Sequence, residues 1–175
     1  MSDEPLDLHD RDFRNERLGP ADLAINSEIV EVTLEDCDVI GVLAQKSRLE
    51  RVTITGSRLR GVSWAAGVIR GVTLDTVTGQ DLSCRFSTLR VVTLRDCQLP
   101  EVDFTEVEFD QVMLERCDLR AAKFDHAKVK SLRITGCNLA GASGAIDLRG
   151  ASMDLDDVLS LAPSLAREIG ITIES

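Results

Sequence analysis

A beat of five residues runs through this chain, and it fits neither of the regular secondary structures. Stepping by five from Ile29 gives Ile29, Leu34, Val39, Ala44, Leu49, Ile54, Leu59, Trp64, and so on to Leu139. Twenty of these twenty-three stations carry a large apolar side chain, and only Ala44, Gly79 and Cys84 do not. Two residues ahead of each station runs a second column, compact throughout except at Leu82 and Leu132. Helices place like residues at 3.6 and strands at two. A strict five therefore requires the backbone to turn a regular corner every five residues.

A longer period counts the corners. The segments Glu31-Val-Thr-Leu34, Arg51-Val-Thr-Ile54, Gly71-Val-Thr-Leu74, Val91-Val-Thr-Leu94, Gln111-Val-Met-Leu114 and Ser131-Leu-Arg-Ile134 recur every 20 residues. Four sides then make one coil, and the chain reads as a square solenoid. Coils stacked about 4.8 Å apart set like residues over like, and nearly seven of them give a rod of about 30 Å. Large Leu82 beside small Cys84 conserves interior volume, the exchange that cores tolerate best. Leu132 has no such compensation beside Ile134 and predicts a local bulge.

Cys117-Asp-Leu119-Arg-Ala, Cys137-Asn-Leu139-Ala-Gly and Val102-Asp-Phe104-Thr-Glu each read as a small residue, a polar residue, a central Leu or Phe and two variable residues. This pattern resembles the pentapeptide-repeat family over about residues 6–153. The resemblance implies an all-β solenoid, a right-handed quadrilateral β-helix with the central and small residues pointing inward. The expected division is a repeat domain over 1–153, with a register break near 24–28 and a weakened repeat over 140–147, followed by a helical cap over 154–175.

The ends support this division. Leu8, Phe13, Leu18 and Leu23 hold the beat out of phase, and the step of six from Leu23 to Ile29 inserts one residue around Ala24-Ile25-Asn26. Leu148 and Met153 resume the five-step in shifted phase. Beyond them, Leu155, Val158, Leu159, Leu161, Leu165 and Ile169 form an apolar stripe at helical spacing. Asp154 is the expected N-cap, Asp156 and Asp157 suit the positive end of the helix dipole, and Gly170 reads as the stop. Pro163 predicts a kink or a split into two short helices. An open solenoid end exposes apolar interior, so the stripe is expected to cap it and to be available for homodimerisation, as the resemblance to the quinolone-resistance branch of the family implies.

The net charge of −10 is unevenly placed. Residues 1–40 hold 12 acids against 3 bases, whereas residues 41–100 hold 4 acids against 9 bases. Arg48, Arg51, Arg70 and Arg90 fall on adjacent coils, and Phe86, expected to point outward, lies beside Arg85. These six are the candidate partner-binding residues, since Arg and aromatic side chains anchor interfaces. Direct nucleic-acid binding is not expected, because no series of aromatic platforms interleaves the arginines. Cys37, Cys97, Cys117 and Cys137 share the small inward column and read as packing residues. In-register stacking at about 4.8 Å exceeds the Cβ separation a disulfide prefers, and the column lacks the paired spacing of a zinc site. His9 and His126 belong to no triad, and no phosphate-binding or metalloprotease motif occurs. No catalytic residue, cofactor or metal is expected.

The expected function is a non-catalytic protein-binding module. The resemblance supplies a specific version: some relatives imitate B-form DNA, occupy the DNA saddle of DNA gyrase and protect it from quinolones, and Arg11-Asp-Phe-Arg-Asn-Glu16 is typical of that branch. The basic middle of the rod counts against this version, since phosphate mimicry needs acids along the whole length. The alternatives are a scaffold or adaptor for another protein, and polyanion binding through the arginine belt. No run of 18 apolar residues is present, and the N-terminus lacks a basic start with an apolar stretch, so the expected location is cytoplasmic with reduced cysteines.

Overall fold

A computed structural model describes residues 8–20, 22 and 25–174. The strands are β1 (Leu8–Arg14), β2 (Arg17–Leu18), β3 (Glu28–Glu35), β4 (Asp38–Ile40), β5 (Arg48–Glu50), β6 (Thr53–Thr55), β7 (Arg58–Arg60), β8 (Val68–Asp75) and β9 (Thr78–Gln80). They continue as β10 (Thr88–Arg95), β11 (Glu108–Glu115), β12 (Lys128–Val129), β13 (Leu132–Thr135) and β14 (Ser152–Met153). A 3-10 turn at Ala145–Leu148 and one helix, α1 (Leu155–Glu168), complete the chain. All strand pairings are parallel, and from Glu28 to Thr135 every rung lies 20 residues from the next: Leu74 pairs with Leu94, Leu94 with Leu114, Leu114 with Ile134. The molecule is a four-sided β-solenoid of stacked coils, closed at its C-terminal end by α1.

Side one carries the stations Ile29 to Val129 and side two carries Leu34 to Ile134. Strands β3, β8, β10 and β11 run eight residues through the corner between these two sides. Their Val-Thr-Leu segments suit a pleated, half-buried surface. Sides three and four are richer in Asp, Ser and Gly, and much of their pairing is by single bridges such as Ser63 to Ser83 and Asp118 to Asn138. The stations themselves are buried, with Leu114 and Ile134 fully enclosed. Phe104, Phe109 and Phe124 pack together with ring centroids 5.5–6.2 Å apart.

Each corner is turned by a residue of positive φ, two beyond its station: Glu31, Asp36, Gly41, Lys46, Arg51, Gly56 and onward to His126. For a residue other than glycine this costs about 1–2 kcal/mol. The corner amides are tied into the next coil, Arg51 N to Arg70 O and Phe86 N to Thr105 O both at 3.0 Å. Ser131 is absent from this series. There the long strand is broken into β12 and β13, and the amides of Lys130 and Ser131 both donate to Phe109 O. The break lies beside Leu132, whose surplus volume displaces Val129 to a half-buried position. The register is 20 on both sides of the break, so no residue is inserted.

Elsewhere the register does change. Leu8 pairs with Ile29 and Leu18 with Val39, a step of 21, while Ile134 pairs with Met153, a step of 19. Leu23 and Ala24, which the five-residue beat includes, lie outside the described residues. At the C-terminal change Gly144 has φ +69°, and a Cβ there would meet Asp125 N and the Phe124 carbonyl carbon at 2.3 Å. Only glycine lets the final turn cross that coil. The Leu82 exchange has a further partner in the same coil. Its side chain and that of Leu99 fill the space left by Gly79, where a Cβ would meet them at 2.4 and 2.7 Å. Around Cys84 a dry cavity of about 40 Å³ remains, bounded by Trp64, Leu89, Phe104 and other apolar side chains.

Helix α1 finishes the solenoid by supplying oxygens where the next coil would have supplied carbonyls. Buried Asp157 accepts the amides of Gly136 at 3.0 Å and Cys137 at 2.6 Å. Ser160 Oγ accepts Leu139 N, and the Glu168 carboxylate accepts Ala145 N and Ile146 N. Asp154 is the N-cap residue as expected, in extended conformation, although its side chain makes no capping bond. One expectation is corrected: Pro163 does not split the helix, which runs 14 residues through it. The carboxylate of Asp157 turns towards the solenoid edge and anchors the turn that precedes the proline. Gly170 stops the helix at φ +84°, with Ile171 N reaching Ala166 O and Gly170 N reaching Arg167 O, a Schellman closure. Among the described residues no helix is long and apolar enough to cross a membrane.

Candidate functional site

The rod exterior offers three surfaces with chemistry of their own. The first is side one with its two corners, where the sequence placed six candidate residues. Strand pairing stacks Glu50, Arg70, Arg90 and Asp110 in one column. Glu50 is engaged by both Arg48 and Arg51, which hold its carboxyl below the usual range, chiefly through the Arg48 hydrogen bond. Arg48 also reaches Glu28 at 3.8 Å, and Arg51 reaches Glu31 at 2.8 Å. Arg90 faces Asp110 at 3.5 Å and Arg85 faces Asp103 at 3.7 Å. Arg70 is the one of the five arginines for which no ion pair forms among the described residues. The belt expected from local charge is therefore largely neutralised by carboxylates one coil away, or two residues away on the same strand. A polyanion would meet paired guanidinium groups there.

Phe86 points outward as the sequence indicated, half exposed, with the Arg85 guanidinium 5.0 Å from its ring centroid. Two apolar neighbours went unread. Val68, one coil back on side one, and Val91, at the far corner of the Phe86 coil, are each half exposed. Their phase in the five-residue beat, one before and two after a station, was the available signal. Phe86 and Val91 both take the left-handed backbone, φ +61° and +54°. That conformation is rare for aromatic and β-branched residues.

The second surface is the outer side of α1. Of the six apolar residues singled out there, Leu161 is buried against the last coil and Leu165 packs partly against it. Leu155, Val158, Leu159 and Ile169 turn away from the solenoid, with Leu155 71% and Leu159 59% exposed. The cap thus covers only one edge of the apolar stripe and leaves the rest of it exposed.

The third surface is a recess on side three of about 340 Å³, floored by Thr78 and Gly79 and walled by Arg58 and Arg60 on one side and Asp118 and Arg120 on the other. Arg60 is held by Asp38 at 3.0 Å and Arg120 by Asp118 at 2.6 Å. The recess holds no thiol, imidazole or nucleophile paired with a base. The five cysteines are free and buried. Burial, and secondarily Asp103, pushes the Cys84 thiol up to about 12, far from the thiolate state that reactivity needs. Cys97, Cys117 and Cys137 each direct Sγ to backbone carbonyls. Ser57, in the same column, does so with its hydroxyl. Among the described residues no group of three His, Cys, Asp or Glu is arranged to hold a metal ion.

The family model described as pentapeptide repeats (8 copies) matches residues 83–125 and 103–141. No curated protein matches the chain. Among solved structures, the pentapeptide repeat protein Rfr23 from the cyanobacterium Cyanothece 51142 is 14% identical, covering 68% of this chain and 88% of its own, with a TM-score of 0.48. A trypsin-treated form of QnrB1, a plasmid-mediated fluoroquinolone resistance protein, is 14% identical over 97% of this chain and 98% of its own, with a TM-score of 0.33. HetL from Nostoc sp. strain PCC 7120, a pentapeptide repeat protein involved in heterocyst differentiation regulation, is 12% identical over 84% and 86%, with a TM-score of 0.28.

Proposed function

We propose that this chain, a pentapeptide-repeat protein, works as a non-catalytic protein-binding rod that pairs with a second copy through α1 and presents its sides to a protein partner. The observation that carries the pairing is the part of the apolar stripe of α1 that the cap leaves uncovered. Leu161 and Leu165 already serve the cap, and the outward set Leu155, Val158, Leu159 and Ile169 keeps much of its apolar surface uncovered. Burying such side chains against a symmetric copy returns about 1.5–3 kcal/mol for each one fully covered. A two-fold contact buries the set twice, which meets the lower range of association costs. Two rods joined at their C-terminal ends form a longer body with the sides of both accessible.

Sedimentation equilibrium tests this. The wild type is expected to be dimeric at micromolar concentration with a thermal midpoint that rises with concentration, and Leu155→Glu combined with Leu159→Glu to be monomeric with a midpoint independent of concentration. A monomeric wild type overturns the pairing.

A finer reading directs the rod to the DNA site of gyrase. It is favoured by the first coil, where Asp10, Asp12 and Glu16 are exposed and, among the described residues, enter no ion pair. The middle coils weigh against it, because Asp96, Asp103, Asp110, Glu115 and Asp118 each face an arginine. A supercoiling assay decides. Inhibition or quinolone protection by micromolar protein supports this reading, and unchanged gyrase activity removes it.

A further inference from the structure

The corner positions at either end of side one single out one coil. Phe86 and Val91 hold the left-handed conformation that their side chains suit least, yet neither side chain is buried in return. One coil away in the same columns stand Ala66 and Glu106 beside Phe86, and Gly71 and Gln111 beside Val91. Backbone strain that purchases little packing points to use of the surface. Val68 adds a third exposed apolar side chain on the rung below. Beside them along the same rungs stand Arg70, which has no ion pair among the described residues, and Arg90 and Arg85, whose carboxylate contacts are long at 3.5 and 3.7 Å. Apolar anchors interleaved with arginines are the composition of interface centres.

We infer that this patch docks a protein segment in which carboxylates alternate with large apolar side chains. The inference rests on the protein-binding reading above and gives it a site and a partner chemistry. Phe86 and Val91 lie five residues apart, at most about 16 Å, which matches about five residues of extended chain. The apolar side chains of the segment cover Val68, Phe86 and Val91, and its carboxylates pair with Arg70 and displace the long contacts of Arg85 and Arg90. Nucleic acid fits poorly. Its phosphates leave the apolar anchors Val68, Phe86 and Val91 uncovered.

Fluorescence anisotropy on the full chain tests this with a labelled octapeptide of alternating Glu and Leu, against an all-Glu octamer, an alternating Lys and Leu octamer and a short DNA duplex. The Glu and Leu peptide is expected to bind at least tenfold more tightly than each control. Phe86→Asn and Val91→Asn, which suit positive φ, are expected to retain or raise the thermal midpoint while weakening binding at least fivefold. Arg70→Gln is expected to weaken binding and flatten its salt dependence. Equal binding of peptide and DNA, or no discrimination among peptides, overturns the inference. So does unchanged affinity in both Asn variants, although peptide binding would then leave the protein-binding reading in place at another surface. A wild type that binds no peptide and is also monomeric removes both.

Discussion

Replacing Asp157 by Ala removes both acceptors that terminate the corner between sides two and three at the C-terminal coil. In the folded protein this side chain is fully enclosed and receives the amides of Gly136 and Cys137 at 3.0 and 2.6 Å. No backbone carbonyl follows in the position Asp157 fills, because the chain has become a helix. The buried amide of Cys137 loses its partner, at about 1–3 kcal/mol, whereas the exposed amide of Gly136 can turn to water. The variant should therefore be less stable by about 1–3 kcal/mol. Solenoids unravel from their ends, so a single global midpoint understates a terminal defect. Amide hydrogen exchange resolves it. Protection of Cys137, Leu139 and Ala145 should fall by about one to two orders of magnitude, while that of Leu74 and Leu94 stays unchanged. Ser160→Ala, which removes one acceptor for Leu139, should show the same pattern at about 1 kcal/mol. The reasoning is refuted if Asp157→Ala leaves the terminal amides as protected as before, or lowers protection evenly along the rod.

Gly144→Ala should lower stability by several kcal/mol, read by chemical denaturation, because the new methyl meets backbone at 2.3 Å and φ is +69°. Cys84→Val should raise stability by about 1 kcal/mol by filling part of the dry 40 Å³ cavity, and a loss of that size would show the site cannot accept the volume. The five buried thiols should resist a thiol reagent at neutral pH until denaturant is added, and fast labelling of the native protein would contradict their burial. The carboxyls of Asp96, Glu108 and Asp118 are held below their usual range by hydrogen bonds from Arg116, Lys130 and Arg120. Their contribution is therefore complete above about pH 5 and declines as pH falls through the depressed values, below about pH 4. The thermal midpoint should drop in that acid window, less steeply in Arg116→Gln.

The repeat made the fold readable because each coil uses the same interior. The phase of Leu94, Leu114 and Ile134 placed them in one column, and that column is dry. Leu132 was readable for the same reason, as an excess volume with nothing nearby reduced to match it. Ion pairing was readable in principle and was missed by counting charge along segments. Asp96 and Arg116, Glu31 and Arg51, and Arg95 and Glu115 are 20 residues apart, and only the stacked coordinate brings them together. The cap contacts were not readable. They depend on how α1 lies across the last coil, which no local spacing specifies. Asp157 looked like a dipole residue because its partners, Gly136 and Cys137, belong to another element. Val91 escaped notice because a β-branched side chain blends into a Val-Val-Thr run unless the corner phase is assigned first.

The oxygens of Asp157, Ser160 and Glu168 also act as a full stop to growth. A solenoid side ends in a row of donors ready for one more rung, and the first coil of a neighbouring molecule is built from matching rungs. With those donors already occupied, molecules cannot queue end on end into a fibre. Shortening the chain before α1 would expose a template as regular as the rod itself.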